Sequence, residues 1–344
     1  MICFRVDSNK TIASGHVMRC LSIATALKEE KQNILFLNAD SNSDSMIDAA
    51  GFDHVNLNSK WDNLCYEIPE MIKQIEDNKC DLLIIDTYSI MKDYVEALKP
   101  YTKICYLGSK QETLGNLDIL INYSSHIDYN FYSQNYKNTL LLLGTDYIPL
   151  RKEFQNLDYR PLNEKLSNVL ITTGNTDGNC FTAKFLNYLS NLDYFSKLRF
   201  HVIIGRMFIN KEEIQSIAKK NQNIQFYENV SNMKEIIQKC DVAISANGTT
   251  VFELAACSVP ALTFAMVPEQ VDSAETLNKM GIVSYCGRFY EDEQHCILTI
   301  SEKLEDFFLN FEKLNNFSKK AKKLVDGNGC IRITKQLLEL VSKR

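Results

Sequence analysis

The chain has 344 residues, about twice the usual single-domain length, so two domains of roughly 150 to 190 residues are expected. With 45% hydrophobic and 24% charged residues, one Trp, 16 Tyr and 18 Phe, it can bury two real cores, which excludes a disordered chain. The formal charge of -5, with acidic and basic residues interspersed, excludes a nucleic-acid surface, because tracking phosphates requires clustered Lys and Arg.

Residues 1–6 run straight into a strand-like apolar segment with no basic leader or apolar core before it, so a cytoplasmic location is expected. No apolar run approaches the ~20 residues that span a bilayer, so no membrane insertion is expected. Short apolar runs recur at 2–6, 34–37, 82–85, 104–107, 119–121 and 140–143. Between them lie stretches of helical period, such as 17–30 with Val17, Leu21, Ala24 and Leu27 on one face, and 68–75. That alternation predicts a parallel sheet covered by helices. After Gly144 the chain changes character: Ile148, Pro149, Leu150 and Arg151 lead into a polar stretch ending in Tyr159, Arg160, Pro161 and Asn163, which reads as a linker. A second alternation follows, with strand-like runs at 169–171, 201–204, 224–226, 242–245 and 261–264 and a helical stretch at 212–219. From residue 298 onward the pattern is helical, broken by a turn at Asp326, Gly327, Asn328 and Gly329. The expected organisation is an N-terminal α/β domain over 1–150 and a C-terminal α/β domain over 151–344 that carries this helical tail. The eleven cysteines are scattered without CxxC spacing, as expected of buried, reduced thiols.

Three segments could carry chemistry, each a strand, a small polar loop and a helix. In the first, Arg5 and Asp7 end the strand and Gly15, His16 and Arg19 open the helix. In a doubly wound sheet the loop after the first strand lies at the carboxyl edge, where ligands bind, so a neutral His16 there could serve as a general base. A histidine that merely caps its helix fits the same pattern. The second is 172–177, where Gly174 permits close backbone approach to a phosphate; the three-glycine dinucleotide spacing is absent, and an ordinary βα turn fits as well. The third is 244–255, with Asn247, Gly248, Thr249 and Thr250 before the helix and Glu253 one turn in, followed later by Glu269 and Gln270. Amides at that helix start suit a diphosphate, and Glu253 could accept hydrogen bonds from ribose hydroxyls or stand as a solvated charge. Asp86 and Tyr88 end another strand and belong at the same edge as His16. His126, His201 and His295 have no carboxylate or cysteine set at metal-ligand spacing, so no metal site and no cofactor are expected. No GxSxG elbow supports an esterase.

Taken together, Arg5-x-Asp7 with Gly15-His16-x-x-Arg19, Ile84-Ile85-Asp86-x-Tyr88, Gly144-x-Asp146-Tyr147-x-x-Leu150-Arg151, and 245–253 with Gln270 resemble one family. It is the UDP-2,4-diacetamido-2,4,6-trideoxy-β-L-altropyranose hydrolases of pseudaminic acid biosynthesis, and the likeness covers essentially the whole chain. The resemblance implies a GT-B-like fold of two Rossmann-like domains facing each other across a cleft, needing no metal. It implies attack of water on the anomeric carbon of a UDP-sugar with inversion, His16 acting as base. Substrate contacts would come from Arg5, Asp7, Gly15, Arg19, Asp86, Tyr88, Glu269 and Gln270. UDP would be held by Gly174, Asn247, Gly248, Thr249, Thr250 and Glu253, and the expected protein partners are other enzymes of the same sugar pathway. Two departures stand out: Glu269 where the family has Asn, and Thr172-Thr173-Gly174-Asn175 where consecutive glycines are common. The closest alternative is a GT-B glycosyltransferase that passes the sugar to an acceptor. A binding or scaffold protein with a decayed site is the third reading, against which the Gly15-His16 pair argues.

Overall fold

The computed structural model describes residues 1–162 and 165–342. Asn163, the last of the expected linker positions, lies outside them. The chain divides into two compact units, 1–152 with 328–344, and 153–327.

The first unit is built on seven parallel strands: β1 (Ile2–Val6), β2 (Ile34–Asn38), β3 (Asp53–Asn56), β4 (Leu82–Asp86), β5 (Lys103–Leu107), β6 (Ile119–Asn122) and β7 (Leu140–Leu143). Their order across the sheet is β3-β2-β1-β4-β5-β6-β7. From β1 the chain winds outward one way and then restarts on the other side at β4, so the switch point lies between β1 and β4. There the two strands run in register down to the pair Val6 and Asp86. A ligand site is favoured in the crevice beyond those two strand ends. Strand residues alternate between two cores: Phe4 and Ile84 pack with Val17, Leu21 and Ala24 of the helix Gly15–Glu29, while Cys3, Leu83 and Ile85 face the helices of the other layer. Continuous apolar strands are what burial on both faces demands.

The second unit repeats the scheme with β8 (Asn168–Thr172), β9 (Arg199–Ile204), β10 (Ile224–Glu228), β11 (Val242–Ala246), β12 (Ala261–Ala265) and β13 (Val283–Arg288). The order β10-β9-β8-β11-β12-β13 puts its switch point between β8 and β11. Its core joins Val169, Phe200, Ile244 and Phe264 to the helix Phe181–Leu189, where Phe181 and Phe185 stack at 5.3 Å.

Two features depart from the sequence reading. Strands β3 and β13 have no counterpart among the expected runs: both lie at sheet edges, where sequences such as DHVN need no apolar continuity. The terminal helix Gly329–Ser342 packs on the first unit, not with the second as expected for 151–344. Cys330, Ile333 and Leu337 enter the core that holds Val17 and Ala24, and Arg332 donates to the Asp146 carbonyl at 2.9 Å. At Gly329 an added Cβ would lie 2.1 Å from the Ile148 carbonyl, so a residue without a side chain lets the helix start against that strand exit. No helix among the described residues is long and apolar enough to cross a membrane.

Candidate functional site

In the first unit, the loop after β1 is shaped by its own polar groups. Asn9 Oδ1 accepts from the Thr11 and Ile12 amides, Ala13 takes a positive φ of 53°, and Gly15 begins the helix. That start brings His16 and Arg19, one turn apart, over the end of β4. His16 Nδ1 lies 2.6 Å from Asp86 Oδ1; Arg19 donates to both Asp86 oxygens through Nε and Nη2, and the Cys20 thiol adds a donor at 3.4 Å.

The protonation of this cluster follows from its charges. Burial, the largest influence, pushes the Asp86 carboxyl up, but the Arg19 and His16 charges and their hydrogen bonds outweigh it and hold the group at about 2. Asp86 is therefore ionised near neutral pH. An anionic oxygen at 2.6 Å then needs a hydrogen on Nδ1, which makes the contact N–H donating to carboxylate. Arg19 Nη2, which donates to Asp86 Oδ1, also lies 2.9 Å from Nδ1, a contact whose roles follow the imidazole tautomer. Nε2 is left as the ring nitrogen with a basic lone pair.

The His16 ring borders a pocket of about 90 Å³ at the carboxyl edge of β4, β5 and β6. Tyr88 stands edge-on to the imidazole, with centroids 4.6 Å apart, and is 59% exposed. Tyr123, just past β6, accepts a hydrogen bond from Arg19 Nη1 at 2.9 Å, and the Arg19 guanidinium carbon lies 5.7 Å from its ring centre. Gly15 has open space where a Cβ would stand.

Arg5 and Asp7 differ from the expectation of substrate contact. Arg5 is fully buried and spends its donors on Glu67, through Nε at 2.7 Å and Nη2 at 2.9 Å, and on Asp7. Tyr94 and Ser59 also donate to Glu67, and Asp7 accepts from the Ala39 amide at 2.7 Å. This almost wholly buried ion triad anchors the end of β1, and Arg5 within it has no exposed surface. Asp86, likewise expected among the substrate contacts, is buried and fully committed to His16, Arg19 and Cys20.

In the second unit, the loops after β8 and β11 flank the switch point. Gly174 takes φ +89° with open space around its Cβ position, and its amide donates to Thr172 Oγ1 at 3.3 Å. The loop after β9 braces this turn: at Gly205 a Cβ would lie 2.4 Å from the Gly174 carbonyl, and the Met207 amide donates to the Asn175 carbonyl. Asp177 caps the helix Phe181–Leu189 by accepting from the Thr182 amide. At β11, the Gly248 amide is spent on the Ala246 carbonyl at 2.9 Å, so the N–H groups open to a ligand belong to Thr249 and Thr250 at the helix start. Gly248 itself leaves open space there. Glu253, at 8% exposure, is not a solvated helix-face charge. Asn247 donates to the Gln270 carbonyl at 3.1 Å while Gln270 Oε1 accepts from the Met266 amide, which locks the turn Pro268–Gln270 onto the β11 loop. Glu269 projects from that turn into solvent.

The structure thus groups His16, Arg19, Asp86 and Tyr88 in the first unit, and Gly174, Asn247, Gly248, Thr249, Thr250, Glu253 and Gln270 along one edge in the second. Sequence reasoning missed Glu67 and Tyr123. Glu67 lies in a segment without a motif and offers no signal. Tyr123 directly follows a strand, and the strand-end rule applied to β1 and β4 finds it when extended to β6.

Comparison with known proteins bears on both units. Residues 168–329 match the Glycosyltransferase family 28 C-terminal domain. Across 98% of this chain and 100% of the other, the structure is similar to Acinetobacter baumannii MurG (TM-score 0.67, 13% identity). The spinosyn rhamnosyltransferase SpnG complexed with thymidine diphosphate gives 0.70 at 12% identity over the same shares. The fold is GT-B-like. Among curated sequences, the chain is 24% identical over 282 residues to a UDP-2,4-diacetamido-2,4,6-trideoxy-beta-L-altropyranose hydrolase of Campylobacter jejuni, covering 81% of this chain and 97% of that protein. The spore coat polysaccharide biosynthesis protein SpsG of Bacillus subtilis is 24% identical over 95% of this chain and 94% of its own length. Uncharacterized protein MJ1062 of Methanocaldococcus jannaschii is 27% identical over 74% of this chain, which spans about half (53%) of that longer relative.

Proposed function

We propose that this chain hydrolyses a UDP-2,4-diacetamido-2,4,6-trideoxyhexose, a step in making pseudaminic acid, by attack of water on the anomeric carbon with inversion. The observation that carries the reading is the Asp86–His16 pair: a buried carboxylate at 2.6 Å from Nδ1 holds one tautomer and one ring orientation, with Nε2 basic beside a pocket. The Campylobacter jejuni relative named for that hydrolysis supports it.

His16 Nε2 takes a proton from water as the water oxygen bonds to C1. The C1–O bond to UDP breaks in the same displacement, and its electron pair leaves on the diphosphate. Asp86 stays ionised and steadies the imidazolium that forms. Tyr88, exposed beside the imidazole, contacts the sugar. In the second unit, the amides of Thr249 and Thr250 at a helix start, with open space at Gly248 and Gly174, suit a diphosphate. Glu253 holds the ribose, and Gln270, fixed by Asn247 and Met266, sets the neighbouring turn. The enzyme works in the cytoplasm beside others of its sugar pathway.

A UDP-dependent glycosyltransferase is the second reading, favoured by the family 28 match and the MurG likeness. Incubation in H2(18)O with the UDP-diacetamido sugar and, separately, UDP-N-acetylglucosamine, followed by NMR, separates the two. Hydrolysis requires UDP release without an acceptor and label on the sugar C1 hydroxyl. Label on phosphate overturns the mechanism, and release only after an acceptor is added makes the chain a transferase.

A further inference from the structure

Resting on the hydrolase reading, we propose that the pocket beside His16 is a subsite for one acylamino substituent of the sugar, with the Tyr123 hydroxyl as donor to its carbonyl oxygen. Size comes first. The pocket is small, about 90 Å³, which suits a short side group of the sugar. The polarity of the walls is the second observation. Tyr123 accepts from Arg19 Nη1 at 2.9 Å, and its own hydroxyl hydrogen has no acceptor among the described residues. Burial pushes this phenol up, so it remains a donor at neutral pH.

Arg19 is itself clamped by Asp86, so the lone pair of Tyr123 that it occupies fixes how the phenol is presented. The hydroxyls of Ser109 and Ser124, also on the pocket wall, can accept from an amide N–H. The ring of Tyr106 closes the back: a Cβ at Gly108 would sit 2.3 Å from its hydroxyl oxygen, so glycine there lets the aromatic wall pass behind the chain. An acetamido group meets each surface in turn, carbonyl to phenol, N–H to serine, methyl to aromatic ring. A free ammonium at the same place would face the Arg19 guanidinium and leave the Tyr123 hydroxyl without an acceptor. Such a site rejects the amine through repulsion and an unmet donor together.

The test measures kcat/KM for UDP release by the full-length wild type and Tyr123→Phe. The substrates are the diacetamido sugar, its two mono-amine analogues, and analogues with a butyramido group at either nitrogen. For the wild type, one amine and the matching butyramide should fall by roughly 100-fold relative to the acetamide. In Tyr123→Phe the acetamide should lose about tenfold or more while the amine changes little, so that the preference narrows. Equal losses on all substrates reduce Tyr123 to a prop for Arg19 and overturn the proposal. If the variant does not fold, the wild-type series still decides, because a butyramide turned over as fast as an acetamide at both positions rules the pocket out. Absence of UDP release from every sugar by the wild type defeats the hydrolase reading itself, a result distinct from unselective turnover.

Discussion

Asp86 receives four donors on two oxygens, more than the single carbonyl oxygen of an uncharged replacement can accept. Asp86→Asn should lower kcat roughly 10²- to 10⁴-fold, since the imidazole loses its tautomer and the developing imidazolium its counterion, while UDP affinity holds. Steady-state kinetics beside calorimetric UDP titration checks the split, and a matching loss of UDP affinity would remove Asp86 from a purely His16-directed role. The same variant leaves Arg19 buried without a countercharge, a defect of about 3–5 kcal/mol that thermal melting should show. Acid provides an independent reading. A carboxyl held at about 2 in the folded chain, against an ordinary value of 3.8, stabilises the fold fully above pH 3.8. That contribution, about 2 kcal/mol, drains as the pH falls from about 4 to 2. Urea unfolding across this window should show a stability slope that Asp86→Asn flattens. His16 and Arg19 were legible as strand-end and helix-start residues; the burial of Arg5 was not, because its partner Glu67 is 62 positions away and belongs to no pattern.

The βα loops of the second unit form one edge because each follows a parallel strand, and their small residues were visible as local sequence. The spent amide of Gly248 was not, since it depends on the backbone turn actually adopted. Because a Cβ at Gly248 meets nothing within 4 Å, Gly248→Ala should leave the melting temperature nearly unchanged. If the diphosphate packs on that glycine, the added methyl should nonetheless weaken UDP binding by about tenfold or more. Glu253→Ala should likewise weaken UDP and raise KM, through lost acceptors for the ribose. Titration of both variants with UDP is the measurement; wild-type affinity in both would take the loop after β11 out of the nucleotide site.

At the scale of the whole molecule, the terminal helix Gly329–Ser342 completes the first core with Cys330, Ile333 and Leu337. Residues 1–152 made without it should expose that apolar face and aggregate, whereas 153–327, whose own core includes Val169, Phe264 and Leu304, should fold and bind UDP. Circular dichroism melts of the two fragments test this; a cooperative transition in 1–152 alone would contradict it. By itself the sequence determined the parallel α/β alternation, the two-domain count and the loops at the strand ends, because periodicity, small residues and helix starts are local properties of the chain. Only the tertiary structure decided that Arg5 is an anchor, that Tyr123 meets Arg19 across 104 positions, and that the last helix returns to the first unit. Those outcomes depend on which distant surfaces share one core, and packing selects partners by shape and charge that no local pattern encodes.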